Sequence, residues 1–303
     1  MSSSKDTADS TAVNKALTAL DEYVTLGKSG LRISPVTLGA MTFGEAGGFG
    51  ANLEDSRKVF DYYYENGGNF VDTANIYTGG DSERFLGDFI SDKRSDIVLA
   101  SKYTTSPHLV EVVAGLPPRK LNFIGLQTKY SLIDRSFEYD LLPVTSHLGL
   151  GTVPWGILES GFLTGKYSRS DFEGGSGQTT LRKSLAAGAA ANAQAWDILD
   201  EVKAVAQEVG RTPAQVATNW TLQRPGVTSI LAGTRTVDQL KQNLEALEFT
   251  LTPEQIARLD KVSEPSHAQI PFSTRFVQNG GWSTYIQPGK SKPAPEFRHT
   301  LGF

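Results

Sequence analysis

From Val36 onward the chain alternates short apolar runs with amphipathic stretches, and that alternation restricts the fold more than any other feature. Val36–Met41, Asn69–Asp72, Asp96–Lys102, Leu121–Gln127, Leu150–Trp155 and the run VTSILAG ending at Gly233 read as strands. Leu53–Asn66, Ser82–Ile90, Phe137–His147 and Ala193–Val209 read as helices, the first stopped by Gly67-Gly68. Three later helices open on Thr-x-x-Gln capping boxes, at Thr212, Thr236 and Thr252, two of them with proline at the first helical position. Ahead of the series, apolar residues flank Gly27-Lys28-Ser29-Gly30, the pattern of a β-hairpin. Strands separated by helices pair in parallel through right-handed crossovers. A doubly wound sheet and a barrel both satisfy that rule. No GxGxxG opens the first unit, and the polar residues Asp72, Lys102, Gln127 and Trp155 sit at the ends of four different strands. Functional groups spread over many strand ends mark a barrel, so a TIM-barrel type (β/α)8 fold is expected.

Composition narrows the function classes. A net charge of −4 advertises no basic field for nucleic acid or membrane, so neither partner is expected. There is no cysteine, which removes disulfides, thiolate catalysis and cysteine metal sites and fits a reducing compartment. The four histidines, at 108, 147, 267 and 299, have no HxxxH or HExxH spacing, so no metal site is expected. The polar opening residues lack a signal-peptide core, and no apolar run is long enough to span a bilayer, so cytoplasmic location is expected. Residues 1–20 read as a disordered tail and 21–303 as one barrel domain with a C-terminal loop over 264–303. Oligomeric state is not readable.

The candidate chemistry lies in NFVDTANIYTGGDSERFLG and VLASKY. A free tyrosine holds its proton up to about pH 10, too tightly to exchange it readily at neutrality. A lysine ammonium beside it eases release, and a carboxylate beside the lysine keeps the ammonium charged and in place. Asp72, Tyr77 and Lys102 therefore suit a general acid that protonates a carbonyl oxygen. Taken alone, the three also fit a bland arrangement, which is the commoner one: Asp72 capping a loop, Tyr77 packing and Lys102 solvated.

LGKSGLRISPVTLGAMTFGE, the two segments just quoted, LQTKYSLIDR, VPWGILESGFLTGKY and the stretch from TPAQVATNW to GTRTVDQLKQNL together resemble the aldo-keto reductase family over most of residues 23–263. The nearest branch in pattern is that of aryl-alcohol dehydrogenases and potassium-channel beta subunits. The resemblance implies an NADP(H)-dependent enzyme reducing aldehydes or ketones, or oxidising the alcohols, with a small carbonyl or alcohol substrate and a setting such as specialised metabolism. It implies Tyr77 as proton donor, with Asp72 and Lys102 supporting it. Cofactor binding would fall to Asp72, to Gln127 on the nicotinamide carboxamide, to Trp155 stacked on the ring, and to a phosphate loop of Gly156, Leu158, Gly161, Leu163, Thr164, Gly165 and Lys166. Gly233, Thr234 and Arg235 open a helix whose N–H groups and positive end suit an anion, and Arg235 suits a 2′-phosphate. Gln239 and Asn243 would lie near the adenosine. Where the family usually carries serine after the tryptophan, this chain has Gly156, which removes one phosphate hydrogen bond.

The chain is also too short in one place. A barrel of about 250 residues spends about 30 on each βα unit, so the path from Lys102 to Leu121 needs roughly 70 to 80. Only residues 103–120 are there. The fourth and fifth strands of the family order are missing, and with them the histidine that positions the substrate carbonyl and the Ser-Asn pair on the carboxamide. One short helix over Pro107–Ala114 would fill the interval, with His108 on it. The third strand would then pair with the sixth in a strained or open six-stranded barrel, of lower stability than a complete relative. The alternative function is a catalytically impaired NADP(H)-binding protein, regulatory, vestigial or the product of a truncated gene.

Overall fold

The computed structural model describes residues 17–46, 48, 50–102, 123–139, 141–172 and 180–265. A two-stranded hairpin comes first, β1 (Val24–Thr25) against β2 (Arg32–Ile33). Six parallel barrel strands follow: β3 (Val36–Gly39), β4 (Phe70–Asp72), β5 (Val98–Ala100), β6 (Gly125–Lys129), β7 (Gly151–Trp155) and β8 (Ile230–Gly233). The helices are α1 (Leu53–Glu65), α2 (Asp81–Phe89), α3 (Leu141–Leu148), α4 (Leu181–Ala190), α5 (Ala193–Val209), α6 (Pro213–Leu222), α7 (Val237–Leu244) and α8 (Pro253–Val262).

Strand order is β5-β4-β3-β8 in one sheet and β6-β7 in another. The two meet where Thr228, just before β8, donates its backbone N–H to Thr152 O of β7 at 2.9 Å. The wall therefore runs β6, β7, β8, β3, β4, β5. Among the described residues β5 pairs only with β4 and β6 only with β7. The expected pairing of the third strand with the sixth is not formed: the barrel is open between β5 and β6. The expected helix over Pro107–Ala114, with His108, lies outside the described residues, as do the loop beyond residue 265 and residues 1–16. Leu20 is buried in the core and Leu17 packs against it.

Side chains on a strand alternate between two faces, and here each face has its own core. Val36, Leu38, Val71, Ile230 and Ala232 point outward and pack with the helices. Phe70 and Val153 point inward, with Val98, Ala100 and Leu231 beside them, and join Leu26 and Ile33 of the hairpin. The hairpin thus plugs the floor. Its turn comes so near β7 that a Cβ on Gly27 would lie 2.4 Å from Gly149 O, and Gly27 has φ +57. Only glycine fits there.

Local signals explain the helices. Asn52 caps α1 through Asp55 N, and Gly67 at φ +88 turns the chain out of it. The boxes at Thr212 and Thr252 are complete. At Thr236 only half the box forms: Thr236 accepts from Gln239 N, but Gln239 Oε1 accepts from Arg235 N, one residue before the cap. The expected helix Phe137–His147 is split into a 3-10 turn at Ser136–Glu138 and α3. Ion pairs and hydrogen bonds hold that turn to α6 and α8. Arg135 pairs with Glu138 at 2.8 Å, Tyr130 donates to Glu138 at 2.5 Å, and Arg224 bonds both oxygens of Asp260 at 2.8 and 2.9 Å. Burial raises the Tyr130 hydroxyl far above an ordinary tyrosine, so it stays a donor.

Candidate active site

The inward-facing positions explain why residues distant in sequence converge. Asp72 is two residues beyond Phe70, Lys102 two beyond Ala100, Trp155 two beyond Val153 and Gly233 two beyond Leu231, all of which face inward. Gly125 belongs to the same face, since a Cβ on it would touch Leu26, and Gln127 is two beyond it. At the C-terminal mouth the inner row therefore changes from apolar to polar.

Asp72 is the centre of this row, its side chain only 4% exposed. Lys102 Nζ donates to Asp72 Oδ1 at 2.6 Å and to Thr73 O at 3.0 Å. Gln127 Nε2 donates to Asp72 Oδ2 at 2.8 Å, so both carboxylate oxygens are engaged. The same Lys102 ammonium lies 4.9 Å from the centroid of the Tyr77 ring. Tyr77 is on a 3-10 turn after β4, half-buried, and the backbone behind it is left-handed at Thr78, Gly79 and Gly80. Thr78 at φ +48 is an unfavourable conformation for a β-branched residue, and its hydroxyl ties the turn down by donating to Phe43 O at 2.5 Å. Asp72, Lys102, Tyr77 and Gln127 thus form one cluster, with Gln127 reaching across the open side of the barrel.

The remaining candidates line the same mouth. Trp155 ends β7 with 45% of its surface exposed, as a platform for a flat ring needs. Behind it the chain winds through Gly156, Leu158, Gly161, Leu163, Thr164 and Gly165, with Leu163 N donating to Leu158 O and Thr164 Oγ1 to Gly161 O. Lys166 is exposed; its ammonium lies 4.8 Å from the Tyr167 ring centroid and rests by the bare backbone of Gly161. Across the mouth, Gly233 is exposed and Arg235 and Asn243 are half-buried. Thr234 Oγ1 is buried with no hydrogen-bond partner among the described residues. A buried hydroxyl left unpaired beside an arginine is a place for a polar, anionic group, so the residues present fit a phosphorylated cofactor.

Two residues of this site are not among the sequence-based candidates. Lys129, two residues beyond Gln127, pairs with Glu159 at 3.1 Å and Asp134 at 3.4 Å. Burial alone would push the lysine pKa down, but the two carboxylates outweigh it and hold the value above ordinary lysine. The inward alternation on β6 could have found Lys129; no local signal marks Glu159. Among the described residues no cluster of His, Asp or Glu could hold a metal ion, and no helix is long and apolar enough to cross a membrane.

The fold agrees with what comparison with known proteins finds. The model of the aldo/keto reductase family matches residues 35–114 and 106–264, and the chain belongs to that family. The match falls into two pieces that meet in the interval where the residue count runs short. A Schizosaccharomyces pombe protein, provisionally named a voltage-gated potassium channel subunit beta, is 28% identical, covering 82% of this chain and 94% of its own. That alignment runs over 330 positions yet uses only about 248 of the 303 residues here, so roughly 80 positions have no counterpart. Norsolorinic acid reductase of Aspergillus flavus is 25% identical over 82% of each chain. An aryl-alcohol dehydrogenase of Pestalotiopsis microspora is 25% identical over 83% of each. The branch expected from the sequence is the one these relatives represent.

Proposed function

We propose that this oxidoreductase family member is an NADP(H)-dependent carbonyl reductase, working in the cytoplasm on an aldehyde or ketone or, in reverse, on the alcohol. The observation that carries the proposal is the single cluster in which Lys102 lies 2.6 Å from Asp72 and 4.9 Å from the Tyr77 ring centroid. The cofactor, when bound, supplies the hydride. Tyr77 gives its hydroxyl proton to the carbonyl oxygen as negative charge develops there, and Lys102, anchored by Asp72, offsets the charge left on the phenolate. Gln127 and Trp155 would hold the nicotinamide. The loop 156–166 and the Gly233–Arg235 turn, with Gln239 and Asn243 beyond it, would hold the phosphates and adenosine. NADP is favoured over NAD because Lys166 and Arg235 supply the charge for a 2′-phosphate. The relative named norsolorinic acid reductase supports specialised metabolism as the setting.

The open gap in the wall favours a second reading, an NADP(H)-binding protein with impaired catalysis, since the family's substrate-positioning histidine has no counterpart among the described residues. One experiment separates the two. NADPH oxidation is followed against a panel of aldehydes and ketones, and NADPH binding by protein fluorescence. Turnover that falls on the order of a hundredfold or more in Tyr77→Phe, with binding kept, supports the reductase. Binding without turnover supports the second reading, and no binding removes both.

A further inference from the structure

We propose that Lys129 and Glu159 form a latch that holds the loop after β7 in the shape that receives the cofactor phosphates, with Glu159 as its positioning residue. The inference rests on the reading of that loop given above. Three non-glycine residues among those described have positive φ: Thr78, Glu159 and Ser160. Two of the three are consecutive in this loop, at +45 and +56, and Gly161 continues the run at +90. Side chains with a Cβ are disfavoured in that region, so the loop keeps this path only if something overrides the backbone preference.

The override is visible. The Glu159 side chain is 11% exposed. One carboxylate oxygen accepts from Ser131 Oγ at 2.7 Å, and the other lies 3.1 Å from Lys129 Nζ. The stem of Lys129 lies along Gly156, where a Cβ would sit 3.4 Å from Lys129 Cγ. Gly156 is itself left-handed, at φ +74. The last residue of β6 thus packs on the first residue of the loop and grips its fourth. The departure from the family at Gly156 fits this backbone: a serine there would be strained by φ. Lys129 is poorly suited to bind phosphate itself, because Glu159 and Asp134 already neutralise it. Its role is to fix the loop.

The test uses the full chain and the variants Glu159→Gln, Lys129→Met and their double, each checked for an unchanged circular dichroism spectrum. Hydrogen exchange without cofactor should quicken by roughly tenfold at amides 158–164 in either single variant. NADPH, titrated by fluorescence, should bind roughly three- to tenfold more weakly in each, and the double should be no worse than the weaker single. Unchanged exchange in both singles overturns the latch. If Lys129→Met weakens NADPH binding as much again in the Glu159→Gln background, Lys129 is a direct phosphate ligand and the latch also fails. Quickened exchange in the variants, with a wild-type chain that binds no NADPH, would instead leave the latch standing and remove its assignment to the cofactor.

Discussion

β3 and β6 are short parallel strands in the same wall, yet all four residues of β3 are buried and none of the five in β6 is. Length does not account for this. β3 has β4 on one side and β8 on the other, whereas among the described residues β6 has only β7. β5, on the far lip of the gap, shows the same half-exposure as β6. The apolar run that marks a buried strand is a statement about neighbours the strand expects, and among the described residues two strands each have a neighbour on one side alone. The lips carry further traces: Phe123 is 78% exposed, and α3 shows Leu141, Val144 and Leu148 along one exposed face.

The comparison can be broken most directly by truncating one leucine in each region. Leu38→Ala in the intact wall should cost roughly 3–5 kcal/mol, and Leu126→Ala on the lip roughly 1–2, read by urea denaturation. Equal costs would mean that β6 is as tightly held as β3. Next in size is Gln127→Leu, which removes a bond reaching from β6 to Asp72 and leaves Asp72 Oδ2 without that donor. A loss of about 1–3 kcal/mol is expected, together with faster exchange of the β6 amides. No loss would show that the two lips are independent. The smallest effect is expected for Val144→Glu with Leu148→Glu on the exposed face of α3. Stability should change by less than about 0.5 kcal/mol for each, while light scattering should show less self-association at high concentration. A cost of several kcal/mol would mean that this face is covered in solution.

Much of this was legible in the residues. The expected strands over Asn69–Asp72, Asp96–Lys102, Leu150–Trp155 and VTSILAG all contain the observed ones, and α5 spans Ala193–Val209 as read. The convergence of Asp72, Lys102, Gln127 and Trp155 was legible too, because side-chain alternation carries an apolar inner row directly into the site. Boundaries were less secure where another interaction competed. β6 begins at Gly125 and not Leu121, and Arg135, Glu138 and Tyr130 draw their turn away from the helix expected over Phe137–His147. At Thr236 the side chain of Gln239 had two backbone donors within reach and took that of Arg235.

Periodicity and capping residues pointed to a parallel barrel wall, the family motifs to the polar cluster at its mouth, and the count between Lys102 and Leu121 to two missing units. These are local or additive properties, readable one segment at a time. The tertiary structure decided the rest. The wall stays open and does not pull β5 onto β6, Gln127 binds Asp72 across the gap, and Lys129 grips a left-handed glutamate thirty residues on. Each of these depends on which side chains meet when distant segments fold together, and a meeting in space leaves no periodic mark on the chain.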